Sequence, residues 1–226
     1  MRIKSTLFVA LCLIALSSCH HYYTSSSFAQ KTGNHKLIAI LPPQVTITGN
    51  LPKNVSVSNM QETEEKESKI FQEYLYNNIL KRGSSAKTPL SVNIQPYSNT
   101  LALLEKKGIT IRDSWNLNDK ELAQALGVDA VVRASLQKQR VMSDLASASI
   151  ELGKQVIDAV TNKTGSVPGI TSRTNNLSIS CSIISDGETL WNDSYTSESH
   201  ASLSETTIIN NITDNFAKHF PYKKRA

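Results

Sequence analysis

Apolar residues fall along the chain in short blocks whose spacing predicts alternating strands and helices. Residues 37–41 are apolar on both faces and predict a central strand, which ends at Pro42 and Pro43 because proline has no N–H to donate. Within residues 62–82, apolar positions recur every three to four residues and predict a long helix that Gly83 ends. The whole chain has the order β-α-β-α-α-β-α-β-β-α, which predicts an α/β fold, a mixed sheet with helices packed on it.

The middle of the chain supplies the shorter elements of this order. Residues 90–94 alternate and predict a strand, and short helices are predicted over 98–107 and 118–126, the second ended by Gly127. Residues 128–141 predict a strand whose first part is buried. Residues 45–59 alternate weakly and contain Gly49 and Pro52, so they predict a long loop or an edge hairpin.

The last third of the chain predicts a hairpin and a helix. Residues 177–184 and 188–196 flank Asp186-Gly187, a dipeptide typical of a two-residue turn with positive φ. Serines occupy alternate positions of the first strand, and the positions between them share an apolar face. These apolar residues are Leu177, Ile179, Cys181 and Ile183. Ser202 and Glu205 form a capping-box pattern that opens a final helix, which Pro221 stops.

The first 19 residues have the pattern of an export signal. Arg2 and Lys4 precede an apolar run over 7–16, which is too short for a membrane-spanning helix of roughly 20 residues. Small residues and then Cys19 follow the run. An ordinary secretory signal cut after Ala29 is the alternative, because residues 27–29 also fit a small-x-small cleavage site, although that site lies far from the apolar run.

The segment Leu16-Ser-Ser-Cys19 resembles the signal of bacterial lipoproteins. The resemblance implies that residues 1–18 are a signal peptide, and that Cys19 becomes the first mature residue and carries acyl chains such as palmitate, so the membrane is a partner through the N-terminal lipid. His20, where an aspartate would imply the inner membrane, implies the outer membrane. Residues 20–27 contain no acidic cluster, which favours the face towards the periplasm.

Composition and charge set the domain organisation. Residues 19–35 are polar and predict a flexible tether, 36–222 a single α/β domain, and 223–226 a basic tail. The formal net charge of +5 is mild, so no nucleic-acid partner is expected. With Cys12 in the signal and Cys19 carrying lipid, Cys181 is the one remaining thiol and no internal disulfide can form.

The sequence contains no phosphate-binding loop, zinc-protease motif or serine-hydrolase motif, so we expect neither an enzyme nor a cofactor or metal. Cys181 is interpreted as a buried packing residue and Asp186 as a turn residue. Trp115 and Trp191 are interpreted as packing residues rather than as surfaces that stack a ligand. A hydrolase with an unrecognised site is the competing hypothesis.

Residues 143–161 predict a helix with an unusually wide apolar and small-residue surface. Small residues four positions apart permit the close approach of another helix. This surface either binds a partner or is buried between the sheet and another helix. The candidate partner-binding residues are Leu145, Ser149, Ile150, Gly153, Val156 and Ile157.

Three segments, over residues 36–43, 122–132 and 182–191, together resemble a group of bacterial envelope proteins. The group includes the curli-secretion-channel family, the amino-terminal domain of the Tol-system translocation protein and lipoprotein activators of peptidoglycan synthases, and the chain looks closest to uncharacterised lipoproteins of Bacteroidetes-type bacteria. The resemblance implies a non-enzymatic, lipid-anchored interaction or adaptor module, accessory to envelope assembly or secretion, with an envelope protein as partner. The alternative is a subunit of a homo-oligomeric outer-membrane secretion channel, although residues 143–176 lack the ten-residue alternation of inserted barrel strands.

Overall fold

A computed structural model of the protein describes residues 22–50, 56–84, 88–141, 173–200 and 205–223. Its strands are β1 (Tyr23–Thr24), β2 (Leu37–Ile40), β3 (Gln44–Gly49), β4 (Asn93–Ile94), β5 (Ala130–Arg140), β6 (Arg173–Ser185) and β7 (Glu188–His200). Its helices are α1 (Phe28–Thr32), α2 (Val57–Gly83), α3 (Tyr97–Lys106), α4 (Ile111–Asn116), α5 (Asp119–Leu126) and α6 (Glu205–His219). The predicted α/β fold, a mixed sheet with helices packed on it, is confirmed.

The sheet is parallel on one side of β5 and antiparallel on the other. The strand order is β1-β7-β6-β5-β2-β4, and β3 pairs with β5 beyond the end of β2. β2 runs parallel to β4 and β5, whereas β5, β6, β7 and β1 pair antiparallel. Pro42 and Pro43 separate β2 from β3 because they cannot donate to β5, and the chain resumes parallel pairing at Gln44.

Alternation along the central strands divides the apolar residues between two faces. On β2, Ile38 and Ile40 point into a large core, and Ala39 points into a small one. The large core lies under α2 and α6 and contains Phe71, Leu75, Trp191, Phe216 and Phe220 among others. The small core lies under α3 and α5 and consists of Ala39, Leu41, Leu104, Leu122, Leu126 and Val131.

The hairpin turn and both ends of the short helix α5 agree with the sequence patterns. Asp186 and Gly187 have φ of 50° and 78°, as a type I′ turn requires, and the apolar face of β6 lies in the large core. The side chain of Asn118 caps α5 by accepting from the backbone of Lys120. Gly127 ends the same helix with φ 67°.

Three elements differ from the sequence predictions. Residues 45–59 are predicted as a long loop or an edge hairpin, but residues 45–49 belong to β3, which pairs in parallel with β5, and residues 57–59 belong to α2. The helix α4 was not predicted, although Thr110 and Asp113 form a complete capping box at its start. Of the predicted strand over 90–94, only Asn93–Ile94 is a strand, with an isolated bridge from Leu90 to Lys223.

The flexible tether predicted for residues 19–35 is wrong for residues 22–35. Tyr23–Thr24 pairs with Trp191 and Asn192 of β7, and Phe28–Thr32 is the helix α1. Phe28 packs against the large core, and its ring lies 5.5 Å from that of Tyr222. The polar composition of this segment did not predict that it packs on the domain. The packing depends on Phe28 and on hydrogen bonds from Ser25, Ser27 and Lys31 to Glu188.

None of the helices among the described residues is both long and apolar enough to cross a membrane.

Candidate functional site

The site residues predicted from the sequence lie outside the described residues. Cys19 precedes Tyr22, where the described chain begins. The six candidate partner-binding residues, Leu145, Ser149, Ile150, Gly153, Val156 and Ile157, fall within 142–172, which is also outside the described ranges. Both sets therefore remain predictions, and the candidate site below was not anticipated from the sequence.

An open cleft of about 880 Å³ lies where the C-terminal halves of α2 and α6 meet. The segment that follows α6 and the first described residue, Tyr22, complete its walls. The lining residues are Tyr22, Asn78, Lys81, Arg82, Thr88, Asn210, Asn211, Asp214, Lys218, His219, Phe220, Pro221 and Lys223.

Buried polar contacts set the separation of the two helices at the cleft. The amide of Asn78 donates to the side chain of Asn210 at 3.1 Å and to the hydroxyl of Thr213 at 2.9 Å. Asn78 is buried, so its amide would be left unsatisfied if the helices moved apart, whereas the Thr213 hydroxyl also donates to the carbonyl oxygen of Ile209 on its own helix. One turn further along α2, Arg82 donates to both carboxylate oxygens of Asp214, at 2.6 and 2.5 Å.

The cleft is basic because its cations outnumber its one acidic residue. Lys81, Arg82, Lys218 and Lys223 line it together with Asp214. The hydrogen bonds from Arg82 lower the pKa of Asp214, and the positive charges of Arg82, Lys81 and Lys218 add to this effect. The bond to Asp214 raises the pKa of Arg82. The Asp214 carboxylate is therefore ionised, and its negative charge is neutralised by Arg82.

Lys223 serves the fold at the end of α6. Its ammonium donates to the carbonyl oxygens of Ala217 and Lys218, which the last helical turn leaves without N–H partners. Burial lowers the pKa of Lys223, and the nearby charge of Arg82 adds to this effect. A cation at this place also offsets the negative end of the helix dipole.

The N-terminal segment joins the cleft at one edge. The ring of Tyr22 stacks on that of His219, with centroids 5.7 Å apart and an interplanar angle of 18°. His219 in turn lies 3.3 Å from the carboxylate of Asp193, which is buried. Further along, Ser25, Ser27 and Lys31 all donate to the carboxylate of Glu188 at the hairpin turn.

A serine and a histidine come together at another place, beside the start of β2. The hydroxyl oxygen of Ser185 lies 3.4 Å from Nε2 of His35, whose Nδ1 lies 2.7 Å from the hydroxyl of Tyr222. Ser185 is buried and donates to the carbonyl oxygen of Asp129 at 3.0 Å. Its hydroxyl thus links the end of β6 to the loop before β5, and its proton points away from His35.

The remaining residues considered in the sequence lie in structural positions. Cys181 is fully buried, and burial raises the pKa of its thiol far above the usual range. Trp191 is fully buried in the large core. Trp115 is half-buried, with the guanidinium of Arg112 lying 4.9 Å from its ring centroid. Asp186 occupies the hairpin turn.

Over the described ranges, no three histidine, cysteine, aspartate or glutamate side chains lie close enough together to hold a metal ion. The cleft is lined by lysine and arginine cations and by asparagine amides, and such donors are suited to an anion.

No protein-family model matches the sequence. No curated protein matches it either. Solved structures with a similar fold include lipoprotein GNA1162 from Neisseria meningitidis, which is 12% identical with a TM-score of 0.45 over 81% of this chain and 96% of that one. The PelC dodecamer from Paraburkholderia phytofirmans is 9% identical with a TM-score of 0.38, over 86% and 91% of the two chains. The LpoB C-terminal domain from Salmonella enterica is 10% identical with a TM-score of 0.33, over 77% and 92%.

At these identities and TM-scores the likeness does not extend to function. The first of these structures is a lipoprotein. The membership of any one family within that group remains a prediction.

Proposed function

We propose that the chain is a lipid-anchored interaction module of the bacterial envelope, held in the outer membrane through Cys19 and facing the periplasm. The observation that carries the proposal is the sequence Leu16-Ser-Ser-Cys19 at the end of a short apolar run. A single acyl chain holds a protein only marginally, so the three chains that the resemblance implies would make the attachment permanent.

The docked N-terminal segment supports this attachment. Two residues, His20 and His21, separate Cys19 from Tyr22, and the three Cα-to-Cα steps can span at most roughly 11 Å. Because residues 22–35 lie against β7 and the large core, the domain would sit close to its anchor rather than at the end of a long tether. Such a module would act at the membrane surface.

A role in binding rather than catalysis is supported by how the reactive groups are used. The Cys181 thiol is buried and its pKa is raised by burial, which keeps it protonated and unreactive. The Ser185 hydroxyl is committed to a carbonyl oxygen. The proposal assigns the envelope protein partner to the predicted helix over residues 143–161.

The substitution Cys19→Ala tests the anchor directly, and Cys12→Ala is the matched control within the signal. We expect Cys19→Ala to abolish labelling by a radioactive fatty acid, and either to leave the precursor uncut at this site or to release the domain from membranes. Cys12→Ala should keep both the label and the membrane fraction.

Retention of label and of membrane fractionation by the Cys19→Ala chain would overturn the proposal. Cleavage after Ala29, detected by sequencing the mature N-terminus, would favour the simple secretory signal instead. The particle size of the labelled chain in mild detergent then separates a monomeric module from a ring-forming channel subunit.

A further inference from the structure

The basic cleft and the N-terminus of the domain lie at the same end of the molecule. Tyr22 forms part of the cleft wall through its stacking on His219. Tyr22 remains 41% exposed, and an aromatic ring with a polar tip is a typical residue of the membrane–water interface. The Cα of Cys19 can lie at most roughly 11 Å from the Cα of Tyr22.

Two of the four lysine and arginine side chains that line the cleft are exposed. Arg82 is paired with Asp214, and Lys223 caps the carbonyl groups of α6. Lys81 and Lys218 are exposed, and no acceptor among the described residues bonds to either ammonium group. Both lysines lie in the last turn of their helices, where a cation offsets the helix dipole without using its ammonium group in a hydrogen bond.

The chain continues this charge beyond the described residues. Lys224 and Arg225 follow Lys223 directly in the sequence. A polybasic surface next to a lipid anchor is the arrangement that binds anionic lipid headgroups, because the anchor holds the cations within the reach of the membrane's surface potential.

We propose that this end of the domain rests on the membrane that carries the anchor, and that Lys81 and Lys218 bind the phosphate groups of anionic lipid headgroups. The inference rests on the proposed anchor at Cys19. The cleft is open and its free cations are exposed, which suits a surface of many headgroups better than one enclosed phosphate. The contact would fix the orientation of the domain, so that the N-terminal half of α2 points away from the lipid.

The test uses the full lipidated chain, added in mild detergent to preformed vesicles of phosphatidylcholine alone or with added phosphatidylglycerol. A membrane-impermeant amine reagent labels exposed lysines, and mass spectrometry reads the rate at each position. Lys66 is the internal reference, because it is exposed on the same helix roughly 22 Å from Lys81. We expect labelling of Lys81 and Lys218 to slow roughly fivefold in the anionic vesicles, with Lys66 unchanged.

A pair of variants and a salt control sharpen the result. Lys218→Gln should weaken the protection of Lys81 in anionic vesicles, whereas Lys66→Gln should leave it intact. Raising the ionic strength to about 0.5 M should remove the protection, because the Debye length then falls well below 10 Å.

Three outcomes would overturn the inference. Equal labelling in both vesicles by a chain that floats with them would reject the membrane contact while leaving the anchor standing. Equal protection by inorganic phosphate with neutral vesicles would assign the cleft to a free phosphate. Failure to float with either vesicle would overturn the proposed function and this inference with it.

Discussion

The two faces of the sheet are built on different physical principles. On the face under α2 and α6, large apolar residues pack into one continuous core, and α2 alone contributes Phe71, Leu75 and Ile79. On the other face, six of the described residues form the buried core under α3 and α5. The same face of the hairpin carries serines, such as Ser180, which bonds to Ser135 at 2.8 Å.

An arginine takes the place of apolar contacts on the smaller face. Arg133 of β5 donates to the Asp119 carboxylate at 2.6 Å and to the carbonyl oxygens of Ser114, Trp115 and Leu117 at 3.1 Å. One side chain thereby ties α4 and the start of α5 to the sheet. The comparison shows that the cleft lies on the face with the larger apolar core, where hydrogen bonds from Asn78 and Arg82 also join its two helices. The short helices on the other face are tied to the sheet by the directed polar bonds of Arg133.

The same substitution on each face would measure this difference. Leu75 and Leu122 are both fully buried, one in the middle of the long α2 and the other on the short α5. Leu→Ala costs 2–5 kcal/mol, and the cost is highest where the surroundings cannot collapse into the cavity. We expect Leu75→Ala to lower the free energy of unfolding by about 4–5 kcal/mol and Leu122→Ala by about 2–3 kcal/mol in urea titrations.

Equal losses for the two leucine variants would show that the smaller face is as rigid as the larger one. Leu80→Ala is the control, since Leu80 lies on α2 but is exposed, and it should change the unfolding midpoint little.

Removal of the arginine tests the polar half of the comparison. Arg133→Met keeps most of the length but loses all four hydrogen bonds, so we expect a loss of about 1.5–3 kcal/mol. Arg133→Lys should recover little of it, because an ammonium cannot reproduce the planar fork that reaches Asp119 and three carbonyl groups. Hydrogen exchange should rise first at the amides of α4 and α5.

A neutral result for Arg133→Met would mean that the six-residue core alone holds this face. Lys120→Met is the matched control, because Lys120 is exposed and lies 4.0 Å from Asp186, a pair expected to contribute little.

Local signals in the sequence predicted most of the architecture but not the site. Strand alternation, the Asp186-Gly187 turn and the Gly127 helix end depend on neighbouring residues, so one segment at a time reveals them. β1 and β3 are strands because they form hydrogen-bonded pairs with β7 and β5, which are distant in the chain. The weak alternation of residues 44–49 could not indicate the parallel pairing with β5.

The cleft was missed for the same reason. Its walls come from residues 22, 78–82, 88 and 210–223, and each basic residue alone looks like an ordinary helix-end cation. The signals that could have pointed to it are the tyrosine pair after Cys19 and the basic C-terminus, which matter only when the two chain ends are seen together. Thr110 and Asp113, by contrast, were a readable capping box that predicts α4.

The smallest expected effect on stability comes from His35, which contacts Tyr222 where the N-terminal and C-terminal segments meet at the edge of the larger face. Burial lowers the pKa of His35 below its ordinary value of 6.5, and the negative charges of Asp129 and Asp186 counteract this only in part. The unfolded chain therefore binds a proton at a higher pH than the folded one does. The resulting stability is fully present above pH 6.5 and is lost as the pH falls from 6.5 towards the folded value.

Urea titrations between pH 7.5 and 5.5 would measure the loss of stability due to His35 separately from any loss due to protonation of the carboxylates. The pKa values of Asp129 and Asp214 are lowered by their hydrogen bonds, so their stabilising effect is lost only as the pH falls below about 3.8. We expect His35→Gln to flatten the pH dependence in this window. Tyr222→Phe removes the hydroxyl 2.7 Å from His35 but keeps the ring that buries it, so the slope should persist. If Tyr222→Phe also flattens it, the hydrogen bond rather than burial controls the histidine, and the larger face depends on a directed polar bond at its edge just as the smaller face does at Arg133.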